Sequence, residues 1–210
     1  MSDTLVYLEV GAKRVFAGAL HWPGWIRSGK GEEQALEWLA AAAERYATVA
    51  RAAGFPLPAD AGRSLAVVER VKGNGTTDFG APGLPARADA EAFHGKELER
   101  QLALLSAAWD AFDGAVAKAP AELRKGPRGG GRDRDEIAEH VLGAESAYAA
   151  KLGLKLRAPA PGTAAVQEFR KAILAGISSG KGSWPARYAV RRFAWHAIDH
   201  AWEIEDRTDH

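Results

Sequence analysis

Two hydrophobic periods divide the chain. Through the first 30 residues the apolar positions come in short β-branched and aromatic runs. These are TLVYLEV (4–10), RVFAGAL (14–20) and a third around residues 25–28. GAK between the first two suits a tight hairpin, and Pro23-Gly24 makes a second turn. The period then becomes helical over residues 32–54, with Leu36, Leu39, Ala43, Tyr46 and Ala50 on one face and Gly54 to end it. SLAVVERV (64–71) is again strand-like. Residues 1–71 are therefore expected to form a β-β-β-α-β unit.

KGNGTTDFGAPGLPARAD is rich in glycine and proline and has no period, so residues 72–88 read as a linker or long loop. A structureless loop of that length is often functional, and this one is a candidate to cover the mouth of a pocket. Four amphipathic stripes follow. Residues 89–118 carry Leu98, Leu102, Leu105, Trp109, Phe112 and Val116; residues 133–152 carry Ile137, Val141, Ala144, Tyr148 and Leu152. Residues 163–177 carry Val166, Phe169, Ile173 and Ile177, and residues 184–207 open with Pro185 in the first turn. Four such helices make residues 89–210 a four-helix bundle. The fold class expected is α+β, mainly α, and the lack of later long β runs argues against a parallel sheet.

The balance of 28 basic and 27 acidic residues, net charge +1, gives no electrostatic footprint for nucleic acid or an anionic membrane. With 47% hydrophobic residues and no apolar run near the roughly 20 needed to cross a bilayer, a globular, cytoplasmic chain is expected. Cysteine is absent, which removes disulfides, thiolate ligands and a cysteine nucleophile together. Any transition metal must then be held by histidine and carboxylate, and any thiol must come from a separate molecule.

Histidine is where the chemistry concentrates. In RRFAWHAIDHAWEIEDR, His196 and His200 are four apart and stack along one helix face, near Phe193 and Ile204. Trp195, Ile198 and Trp202 form the adjacent apolar stripe, which places both imidazoles at the edge of the bundle interior. Such a pair alone is commonly incidental. His140, however, lies on the apolar face of the second bundle helix, and three interior histidines on two helices each need a partner away from water. His21, His94 and His210 fall at a turn, a helix start and the chain end, and read as surface residues.

The segments IAEHVLGAESAYAAKLG and AWHAIDHAWEIEDR resemble the DinB-like superfamily of four-helix bundles, which includes thiol S-transferases. The resemblance covers roughly residues 89–207. It implies that His140, His196 and His200 bind one divalent metal, zinc or nickel, with open positions for water or substrate. The segment RVFAGALHWPGWIRSGKGEEQALE looks like the HicB-type fold, and the role expected of it here is docking, dimerising or covering a pocket. Without a basic tail, no DNA binding is carried over.

These features imply a metal-dependent enzyme that transfers a low-molecular-weight thiol to an electrophilic small-molecule substrate. A metal-dependent hydrolase, a non-catalytic metal-binding or interaction protein and a metal-free scaffold stay open, as does a homodimer. Glu145, Asp199 and Glu203 are candidates to orient the imidazoles or move protons, against the reading that they are solvated helix carboxylates. Arg191, Arg192 and Arg207 could receive an anionic substrate or simply pair with neighbouring acids. GPRGGGRDRDE (126–136) lacks the Lys-Ser/Thr ending of a phosphate loop and follows no strand, so it is read as a connection, with Asp133 or Asp135 as helix cap.

Overall fold

In β1 (Thr4–Val10) the strict alternation of side chains settles which residues meet which layer. Val6 and Leu8 enter the main core, while Tyr7 and Glu9 point the other way and are equally buried. The computed structural model describes residues 3–126 and 130–208. β1 is followed by β2 (Val15–Ala19), β3 (Ile26–Gly29), α1 (Glu32–Ala41), α2 (Ala43–Ala52) and β4 (Leu65–Lys72). A short α3 (Gly75–Phe79) and a 3-10 turn (Arg87–Ala90) lead to four long helices: α4 (Gly95–Lys118), α5 (Arg134–Lys151), α6 (Ala165–Ser179) and α7 (Ala186–Arg207). The fold is α+β and mainly α.

The sheet order is β3-β2-β1-β4. β1 and β2 pair antiparallel, as do β2 and β3, but β4 lies parallel to β1. The sheet is therefore mixed and not a parallel sheet, with one parallel pair among its three. The connection through α1 and α2 is long enough for the crossover that a parallel neighbour requires. The helix expected over 32–54 is two helices meeting at Ala42. No glycine or proline marks the break; both halves are held on one residue, Trp25. The Trp25 indole N–H donates to the Leu39 carbonyl of α1 at 2.8 Å, and the Tyr46 ring of α2 stacks on the indole at 5.7 Å between centroids.

The Pro23-Gly24 turn presses on α7. Gly24 has φ +91°, and a Cβ there would stand 2.4 Å from Cδ1 of Ile198, so both the conformation and the close approach require glycine. Pro23 contributes its carbonyl, which accepts from the Tyr46 hydroxyl at 2.9 Å. One hydrophobic cluster runs from the sheet through α1 and α2 into the four long helices.

Residues 72–88 are ordered by a buried carboxylate and are not the structureless linker expected. Glu9 accepts from the Thr77 hydroxyl, from the Gly83 N–H at 2.9 Å and from the Leu84 N–H at 3.1 Å. Asn74 caps α3 by accepting from the N–H groups of Thr76 and Thr77. Asp89, expected to open the first bundle helix, lies instead in the 3-10 turn, and α4 begins at Gly95. The physical reason is the ion pair that Asp89 makes with Arg191 of α7, both side chains 3% exposed. Asp133 stands at the N-cap of α5 and its N–H donates to Glu136 at 2.9 Å, but its carboxylate accepts from the Leu123 N–H and not from the helix.

Replacing Asp89 by alanine would leave the Arg191 guanidinium buried without its counter-charge. A loss of about 3–5 kcal/mol in urea unfolding is expected, the range for breaking one side of a buried pair. A loss below about 1 kcal/mol would mean that Arg191 is not desolvated in solution.

Candidate metal centre

α7 is the most enclosed of the helices, with 14 of its 22 residues buried. Its Phe193, Ala194, Ala197 and Ile204 face the core, while Trp195 meets Phe16 of β2 edge to face at 6.0 Å. Arg192, His196, His200, Glu203 and Arg207, spaced three or four apart, make a polar stripe beside this apolar one. On α5 the matching stripe is His140 and, two turns on, Tyr148.

Packing α5 against α7 brings His140, His196 and His200 together. One ligand nitrogen from each lies within 4.8 Å of those of the other two. The ring centroids are 5.1 Å apart for His140–His196, 5.0 Å for His140–His200 and 4.6 Å for His196–His200. His196 is buried, and the other two are half-buried, so the group has a solvent-facing side. A three-histidine group of this size can hold a metal ion.

The surroundings of each ring differ. His200 Nδ1 lies 2.7 Å from Glu203 Oε2, and the second Glu203 oxygen accepts from Arg207 Nη1 at 2.7 Å. That bond fixes the ring and leaves Nε2 as the nitrogen available to a ligand. The Glu203 carboxyl is held below its ordinary range, chiefly by the bond to His200. His196 Nδ1 is buried with no hydrogen-bond partner among the described residues. An orphaned buried polar atom costs about 1–3 kcal/mol, so an unpaired imidazole nitrogen inside a three-histidine group fits a ligand better than it fits packing. Burial, reinforced by His200 and Arg192, pushes His196 well below the ordinary histidine value. Burial lowers His140 as well, with His200 adding to it. Both are therefore neutral at neutral pH, the form that coordinates metal.

Of the candidate carboxylates only Glu203 touches a histidine. Glu145, 1% exposed, turns into the bundle and pairs with Arg170 of α6 at 3.3 Å, while Arg170 also meets Asp113 of α4 at 2.8 Å. Burial pushes the Glu145 carboxyl up to about 7 in spite of Arg170. It lies five residues beyond His140, which is the wrong side of α5. Asp199 turns to the sheet and pairs with Arg27 of β3 at 3.1 Å. Neither orients an imidazole.

Two further residues border the group. Tyr148 packs edge-on to His196 at 5.7 Å and accepts from Arg192 Nη2 at 2.9 Å, and Arg192 Nη1 donates to the Pro82 carbonyl at 2.9 Å. Tyr148 was legible as the residue two turns beyond His140 but reads there as core. Residues 72–88 thus reach the centre through Pro82. Arg191 is committed to Asp89, while Arg207 is held by Glu203 and the Arg124 carbonyl and keeps a buried Nη2 with no partner among the described residues. His21 and His94 are exposed, as expected, and His94 is the N-cap of α4. His210 and part of the 126–136 loop lie outside the described residues. No helix among the described residues is long and apolar enough to cross a membrane.

Comparison with protein-family models, with curated proteins and with solved structures found no match to this chain.

The depressed histidines set a pH dependence. The unfolded chain takes up a proton at His196 near the ordinary 6.5, whereas the folded chain resists it. The stability from burying the neutral ring is complete above that value and is lost progressively as the pH falls below it. Glu145, raised when folded, acts in the opposite sense from about 7 downward. A His196→Phe variant removes only the first effect. In metal-free protein its melting temperature should fall less than that of the parent between about pH 7.5 and pH 5; equal falls would show that His196 is not buried in the neutral form.

Proposed function

We propose that this chain is a divalent-metal-dependent enzyme of the DinB-like type, transferring a low-molecular-weight thiol to an electrophilic small molecule. The observation that carries the reading is the convergence of His140, His196 and His200 with a buried, unpartnered nitrogen on His196. Zinc or nickel suits three neutral imidazoles, and three protein ligands are fewer than the four of a closed structural zinc site. A divalent ion held there supplies Lewis acidity, lowering the pKa of a thiol or a water that reaches it.

The chain's own residues have separable tasks in this reading. Glu203 orients His200, and Arg207 orients Glu203. Tyr148 is kept in its phenol form by burial, and because it accepts from Arg192, its own proton is available to donate toward a group beside His196. The Pro82 contact lets the 72–88 segment position Arg192. A chain without cysteine must take its thiol from solution, which favours transfer over an enzyme-bound thiol. A water in place of the thiol gives the hydrolase alternative, and a fourth protein ligand would point to a non-catalytic metal-binding protein.

Elemental analysis of untagged protein tests the centre. Near one equivalent of zinc or nickel is expected, falling below about a tenth in His140→Ala, His196→Ala and His200→Ala. Glu203→Gln should weaken the metal by about 10–100-fold while leaving the fold intact by circular dichroism. Activity is read separately, as chelator-sensitive loss of a small thiol in the presence of an electrophilic acceptor, restored by the metal. A parent chain that takes up no metal after reconstitution overturns the reading.

A further inference from the structure

On the side of α7 away from α5, a cleft of about 530 Å³ opens between the sheet, α1–α2 and α7. This is within the range of small-molecule sites. Four aromatic side chains wall it: Phe16 of β2, Trp38 of α1, and Trp195 and Trp202 of α7. Trp38 is 56% exposed, the second most exposed of the large apolar side chains, and it gives onto this cleft. A tryptophan left open to water beside three other rings is a surface awaiting a flat partner.

The charged residues decide what kind of partner. Arg27 and Arg45 both line the cleft, but each is neutralised: Arg27 by Asp199 at 3.1 Å, and Arg45 by Glu205 and by Asp206 at 2.9 Å. Both guanidinium groups also lie over the Trp202 ring, at 3.9 and 4.8 Å. Arg14 is different. It meets only the Ser28 hydroxyl, at 3.3 Å, and pairs with no carboxylate among the described residues. The cleft therefore offers aromatic walls and one uncommitted guanidinium beside a hydroxyl. A guanidinium binds a carboxylate through two parallel N–H donors, and Ser28 can add a third.

We infer that this cleft binds a planar aromatic carboxylate, its ring between Trp38 and the Phe16–Trp195 pair and its carboxylate on Arg14 and Ser28. Glu203 lines the cleft while bonding His200 of the three-histidine group, and Trp195 precedes His196 in the chain. As the acceptor subsite of the metal centre the cleft rests on the function proposed above; as a binding site it stands on its own residues.

Calorimetric titration of 2-naphthoate into the full chain tests it, with the uncharged 2-naphthamide as the matched comparison, each in metal-free and in zinc-treated protein. Saturable 2-naphthoate binding is expected in both preparations, with the amide about tenfold or more weaker. Arg14→Gln should bring the two ligands to within about twofold of each other, and Trp38→Ala should weaken both by about fivefold. Arg157→Gln, exposed in the α5–α6 connection and outside the cleft wall, should leave the preference unchanged. Absence of saturable 2-naphthoate binding in both preparations overturns the proposal, as does a carboxylate preference that survives Arg14→Gln. Binding that persists in a chain taking up no metal sinks the metal reading alone, and a metal-loaded chain that ignores 2-naphthoate sinks the cleft alone.

Discussion

Burial of α7 on nearly every side governs this molecule. The polar side chains on its buried faces cannot reach water, so each must be met by a group from another element or remain orphaned at a cost of about 1–3 kcal/mol. The sequence of α7 is unusually polar for such a place, with two arginines and a histidine among its buried residues. Much of the rest of the chain supplies their partners. Asp89 is drawn out of α4 to meet Arg191, and the Pro82 carbonyl and the Tyr148 hydroxyl meet Arg192. Two nitrogens of α7 depart from that pattern of satisfaction, Nη2 of Arg207 at the helix end and, deeper in, Nδ1 of His196. The His196 nitrogen lies in the three-histidine group, where a ligand from outside the chain would complete the account.

The same constraint explains the N-terminal unit. A four-helix bundle by itself would leave the Trp195–Ile198–Trp202 stripe of α7 facing water. The sheet covers it: Phe16 and Ile26 pack on Trp195, and Gly24 lets the turn approach Ile198 closely. Arg27 then brings a charge to Asp199, a half-buried carboxylate whose pKa burial raises in spite of that pairing. Because the hydrophobic cluster is continuous across sheet and helices, α7 serves as the common wall of both.

The periodic features of the chain are the ones legible in its sequence. β1 and β4 lie within a residue of the expected strands, and the helical stripes give α5, α6 and α7 closely because each has one apolar face with punctuation at its ends: Asp133 before α5, Gly180 after α6, Pro185 before α7. The histidine convergence was legible for the same reason, since spacing along a helix fixes which side chains share a face. Spacing does not fix what that face meets. Asp199 is three residues from His196, yet its neighbour is a strand 172 positions away in sequence, and Glu145 is one step off the His140 stripe and belongs to Arg170. The order in residues 72–88 was hidden more deeply. It rests on Glu9, a carboxylate that β alternation places opposite the main core but whose hydrogen-bond donors lie more than sixty residues on. The break at Ala42 is marked by no glycine or proline, and the residue that meets both halves, Trp25, lies outside the helix.

A three-histidine group on one flank of α7 and an aromatic cleft on the other share the helix between them. The two faces of α7 are about a third of a turn apart, so residues on its edge belong to both, and Glu203 is such a residue: it holds His200 on one side and borders the cleft on the other. Its carboxylate is fixed by two bonds, from His200 and from Arg207, so a group entering the cleft meets a side chain with little freedom to move away. A ligand that shifts Glu203 would stretch or break its 2.7 Å bond to the His200 ring. The rigidity of one helix, held from both sides, is thus what would couple occupancy of the cleft to the ligand field of the three histidines, with no separate moving part required.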